Sequence, residues 1–132
     1  MFKIDQKILE TSHPVLSLEV SDLRLVDDTR WPWVLLIPRV SNAVELIDLA
    51  PDLRDQVWLE ADQVARVIKA RFSPSKLNIA AIGNQVRQLH IHLIARFIDD
   101  YAWPNTVWGV PGAEPYEADE LMSRVRDLKS SF

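Results

Sequence analysis

The sequence predicts an α+β fold built on an antiparallel sheet of about five strands, with helices packed on one face. Three observations carry that expectation. Short apolar segments fall into two groups whose members are joined by tight turns, helical patterns lie between and after them, and residues 86–97 alternate with a period of two. Strands joined by tight turns must run antiparallel.

The first group starts with residues 15–20 and 23–26, an expected hairpin turning at Ser21-Asp22. Residues 33–37, Trp-Val-Leu-Leu-Ile, form a third strand that stops at Pro38, which has no N–H to give a central ladder. Asn42 with Glu45 three residues on resembles a capping box opening a short helix. Pro51 suits the first turn of a second helix, in which Val57, Ala61, Val64, Ala65 and Ile68 recur at helical spacing. That helix should end near Ser73-Pro74. Residues 77–82 read as a fourth strand and Gly83-Asn84 as the turn into the fifth. Residues 99–115, rich in Pro, Trp and Gly, read as an ordered surface loop, and a last helix carries Ala118, Leu121, Met122 and Val125 on one face.

The chain has 132 residues, enough for one domain with a sizeable core, so a single domain over 1–132 is expected. With 48% hydrophobic and 26% charged residues the composition is that of a globular protein. A formal charge of −4 argues against nucleic acid or an anionic membrane as partner. There is no cysteine, so disulfides and thiolate metal sites are excluded. The first residues lack the apolar run of a signal peptide and no segment reaches transmembrane length, so a cytoplasmic location is expected.

In the alternating run, Gln88, His90, His92 and Arg96 share one strand face, while Leu89, Ile91, Leu93 and Phe97 share the other. The helices should cover the leucine face and leave the histidine face to solvent, a ligand or a second subunit. Three readings of His90 and His92 compete. They are polar residues on an open face, metal ligands completed by His13, Asp99 or Asp100, or a nucleophile and a second group to protonate the leaving group, with backbone amides near residues 83–85 as donors to the phosphate oxygens. Arg39 and Arg96 are candidate phosphate forks. His13, next to Pro14, reads as a surface turn residue. The five tryptophans read as core or interface more than as base-stacking faces.

Gln88-Leu-His-Ile-His-Leu-Ile resembles the histidine triad (HIT) motif, His-x-His-x-His followed by two apolar residues, with Gln88 in the first histidine's place. The likeness extends through the strand, proline and short helix of residues 33–49 and through Gly83-Asn84-Gln85, and so covers most of residues 15–98. Trp33 stands where the family often has a further histidine. Trp31-Pro-Trp33 and Tyr101-Ala-Trp-Pro-Asn-Thr-Val-Trp-Gly are similar to a bacterial HIT-like subgroup assigned as hydrolases. The resemblance implies a HIT-like fold and a nucleotide-phosphate hydrolase or transferase. In it His90 attacks the α-phosphorus of a nucleoside phosphoanhydride or phosphoramidate, His92 contacts the phosphate, and Gln88 occupies the first motif position. It also implies phosphate contacts at Asn84, Gln85 and Arg96, a ribose contact at Asp27, and a homodimer acting on a purine nucleotide-type substrate. No resident cofactor is required, and Mg2+ is compatible with a polyphosphate substrate. A nucleotide-binding protein with weak or no turnover, and a histidine-based metal-binding protein, are the alternatives.

Overall fold

A computed structural model describes all 132 residues. The expected antiparallel sheet forms from β1 (Ser12–Ser17), β2 (Ser21–Val26), β3 (Trp33–Pro38), β4 (Lys76–Ala80) and β5 (Ile91–Arg96), in the order β1-β2-β3-β5-β4. Every neighbouring pair is antiparallel. The first hairpin turns at residues 18–20, where the Leu18 N–H donates to the Ser21 carbonyl, rather than at Ser21-Asp22, which already belong to β2. Arg39 clamps that turn through Asp22 and the carbonyls of Leu18 and Glu19, so it is not a phosphate fork.

The expected short helix is a single 3₁₀ turn, Leu46–Asp48, whose box joins Glu45 and Asp48. Asn42 lies outside it, with φ of 64° in a left-handed turn that asparagine tolerates. The long helix α2 (Pro51–Phe72) starts on its proline as expected and ends at Ser73, itself left-handed with φ of 48°. Its buried face is Val57, Ala61, Val64 and Ile68. The last helix, α3 (Ala118–Lys129), turns Leu121, Val125 and Leu128 inward, while Met122 faces solvent. Both helices pack on Leu23, Leu25, Val34, Leu36, Ile91, Leu93 and Ala95, the core face of the sheet. No helix is long and apolar enough to cross a membrane.

One helix lies on the opposite face. The N-terminal α1 (Gln6–Thr11) is capped by Asp5, whose side chain accepts from the Lys7 N–H at 2.8 Å, and its buried Ile8 packs on Leu35 and Ile37 of β3. The C-terminal end of α1 is met by the buried Arg24, which donates to the Ser12 hydroxyl and carbonyl. The histidine face is therefore partly roofed rather than open.

Candidate functional site

The fifth strand is shorter than its alternation predicts, because the chain is irregular from residue 81 to 90 and enters the sheet only at Ile91. The alternation still sorts the faces correctly. His92, Ile94 and Arg96 lie opposite the core residues Ile91, Leu93 and Ala95. His90 and His92 are both buried, with ring centroids 4.9 Å apart.

Each ring has one nitrogen fixed by a partner that can play only one role. His90 Nδ1 lies 2.6 Å from the Gln88 carbonyl oxygen, which only accepts, so Nδ1 carries a proton, and in the neutral ring Nε2 keeps its lone pair. The indole Nε1–H of Trp33, which only donates, reaches His92 Nδ1 at 3.0 Å. A neutral His92 therefore carries its proton on Nε2. Burial, and then the charge of a protonated His90 beside it, push the His92 imidazolium down to about 4, so the ring is neutral at ordinary pH. Trp108 closes edge-on against the same ring at 5.4 Å.

These histidines line a cavity of about 610 Å³, the size of a small-ligand site. Its walls are α1 with Lys7 and Ile8, Asp27 just after β2, the loop with Gly83, Asn84 and Gln85, and the segment around Trp108. Gly83 has φ of 65°, and a Cβ there would lie 3.0 Å from the Val86 carbonyl, so the tight path of this loop needs glycine. The N–H groups of Gly83, Asn84 and Gln85 have no protein acceptor, which leaves them available to an anion. Asp27 accepts from the Tyr116 N–H at 2.9 Å and pairs with His13 at 3.3 Å through the same oxygen. His13 is thus a β1 residue holding Asp27 rather than a turn residue.

Two of the expected site residues have other work. The Gln88 side chain accepts from the Asp5 N–H at 2.8 Å and donates to the Lys3 carbonyl at 2.7 Å, so it fastens the N-terminal segment. Only its backbone carbonyl reaches the site. Arg96 is 1% exposed and bonds Asp100, Asn78 and the Asn105 carbonyl, beneath the Trp31 and Trp103 rings and away from the cavity. It clasps the loop after β5 and is not a phosphate ligand. Asp100 is taken up by that clasp and His13 by Asp27, and no group of three His, Asp or Glu side chains comes together, so the metal reading has no third ligand. Conversely, Trp33 as the partner of His92 and α1 as a wall of the cavity were not expected. The first needs strand register, since Trp33 sits diagonally across from His92 when Leu35 faces it. The second rests on a six-residue helix with a single buried side chain.

A five-stranded antiparallel sheet with its two longer helices packed on one face, and two histidines beside an anion-ready loop on the other, is a histidine triad fold. The HIT domain family model matches residues 10–99, and the chain belongs to the HIT family. A histidine triad protein of Bradyrhizobium japonicum is 37% identical, with TM-score 0.95, 98% of this chain and 97% of that one covered. One from Marinobacter aquaeolei VT8 is 33% identical, with TM-score 0.97 and coverage of 99% and 96%. A diadenosine triphosphate hydrolase of Plasmodium falciparum, at 17% identity and TM-score 0.68 over 98% of this chain and 79% of that one, shares the fold. No curated protein matches the chain.

Proposed function

We propose that this protein is a nucleotide-phosphate hydrolase or transferase acting through a nucleotidyl-histidine intermediate on His90. The observation that carries the reading is the Gln88 carbonyl at 2.6 Å from His90 Nδ1, which in the neutral ring leaves the lone pair on Nε2, on a buried side chain lining the cavity. That nitrogen attacks the α-phosphorus. A P–N bond forms as the bond from phosphorus to the leaving group breaks, and the leaving group takes the electron pair. Water, or another acceptor, then displaces His90 and releases the nucleotide.

The other residues serve charge and position. The Nε2–H of neutral His92 donates to a phosphate oxygen, and the unpartnered amides of residues 83–85, with the Asn84 and Gln85 side chains, receive the remaining oxygens. Asp27 meets the ribose, having one carboxylate oxygen without a protein partner. The substrate is of purine nucleotide type, no resident cofactor is required, and Mg2+ enters only with a polyphosphate. The protein acts as a homodimer in the cytoplasm. A monomer by light scattering would remove the dimer from this account.

His90→Ala is expected to abolish mononucleotide release from nucleoside phosphoanhydrides while nucleotide binding and fold persist. Equal release by the variant would overturn the reading. A second reading, a nucleotide-binding protein with little turnover, is favoured by one observation: Gln88 and Trp33 replace titrating residues of the family pattern with groups that do not titrate. It predicts AMP binding by calorimetry with no product formed.

A further inference from the structure

The ionisable groups around the nucleophile constrain what can leave the phosphorus. His92 is the titrating side chain packed against His90, and its faces and edges are occupied by Trp33, Trp108 and His90 itself. The Trp33 indole lies 5.8 Å from it, centroid to centroid, and gives its only N–H to Nδ1. An indole N–H can donate but cannot accept, so no proton can arrive at Nδ1 without breaking that bond and no relay can run through Trp33. The remaining charged groups of the cavity wall are Lys7 and Glu10 on α1, and Asp27 and Asp28 after β2. Asp28 is held by Nε and Nη2 of Arg30, and Asp27 by His13 and the Tyr116 N–H. Gln88, at the first motif position, has its amide turned to the N-terminal segment.

We infer that the site is built for a leaving group that departs without a proton, a phosphate or a carboxylate, and that Trp33 is the positioning residue that imposes this by holding His92 as a neutral Nε2–H donor. The inference rests on the nucleotidyl-histidine reading and narrows its substrate class to nucleoside phosphoanhydrides and mixed acyl anhydrides. When a P–O bond to such a group breaks, the electron pair stays on an oxygen that is a stable anion in water. When a P–N bond to an alkylamine breaks, nitrogen must gain a proton in the same step, and neutral imidazole is a poor acid for that work. The low pKa of His92, about 4, agrees with this arrangement, since the imidazolium that could supply the proton is absent near neutrality.

The test has two readouts on the full chain. Nitrogen-15 NMR of the histidine rings is expected to show His92 as the Nε2–H tautomer and neutral at pH 5.5 in the wild type, and titrating nearer an ordinary histidine in Trp33→Phe. A wild-type His92 that protonates near pH 6.5 overturns the inference whatever the activity. In parallel, kcat/KM is compared for two probes sharing the adenylyl group, diadenosine triphosphate and an adenosine 5′-phosphoramidate of an alkylamine. The wild type should prefer the anhydride by at least about 100-fold, the lower range of a missing general acid. Trp33→His, which restores a titrating partner, should narrow that ratio at pH 6. Equal rates on the two probes, or a ratio unmoved in Trp33→His, overturn the leaving-group inference alone. If His92 behaves as expected while neither probe is cleaved, the nucleotidyl-histidine reading fails and the leaving-group claim falls with it, whereas the orienting role of Trp33 stands.

Discussion

Replacing Arg96 by methionine separates a structural clasp from a phosphate ligand. The guanidinium gives two bonds to the Asp100 carboxylate, at 2.8 and 3.0 Å, one to Asn78 Oδ1 at 2.9 Å and one to the Asn105 carbonyl at 2.7 Å. Side-chain exposure is 1% for Arg96 and 4% for Asp100. Burial alone would raise the Asp100 carboxyl. Arg96, with the N–H groups of Phe97 and Ala102, outweighs that and holds it well below the ordinary carboxylate range. Removing the cation strands a buried carboxylate, a loss of about 3 to 5 kcal/mol. Because the N–H groups of Phe97, Ala102 and Trp103 still serve Asp100, the lower end applies, about 3 kcal/mol. The unpaired Asn105 carbonyl adds about 1 kcal/mol. Urea unfolding at pH 7 should therefore show Arg96→Met less stable by about 4 kcal/mol, with part recovered when Asp100→Asn removes the stranded charge. The stability from this pair is complete above the unfolded carboxyl's pKa and is lost as pH falls toward the lower folded value. An unchanged urea midpoint combined with weaker nucleotide binding would refute the reasoning and return Arg96 to the phosphate site.

Two more predictions follow the same logic. His92 has a folded pKa of about 4 against an ordinary 6.5, so the unfolded chain binds the extra proton and stability falls as pH drops from 6.5 to 4, by about 3 kcal/mol at most. Denaturant titrations of His92→Gln should lack that slope, and parallel pH curves for the two proteins would contradict the assignment. Gln88→Leu removes two hydrogen bonds to the N-terminal segment but keeps the carbonyl that orients His90. Amide exchange at residues 5–9 should accelerate with a stability loss of no more than about 2 kcal/mol, and unchanged protection there would show that the segment is held by Ile8 alone.

What the sequence made legible was the period of each segment and therefore which face each residue occupies. The alternation of residues 86–97 separated His92 and Arg96 from Ile91 and Leu93 correctly. It did not show that residues 86–90 leave the ladder, because Gly83 and the His90-to-Gln88 hydrogen bond shape that path locally without altering the hydrophobic pattern. Arg96 was placed on the right face and given the wrong partner, since Asp100 lies in the turn after the strand, four residues on, where strand periodicity says nothing. Trp33 was recognisable as a departure from the family pattern, but its bond to His92 depends on the β3–β5 register. Helix α1 escaped detection because one buried residue, Ile8, sets no period.

The most direct measurement of the central claim is rapid alkaline quench of the protein with diadenosine triphosphate, followed by intact mass and peptide mapping. The account predicts a transient adenylyl adduct on His90, absent from His90→Ala. Mononucleotide release with no adduct on any histidine, or an adduct on His92 instead, would contradict it.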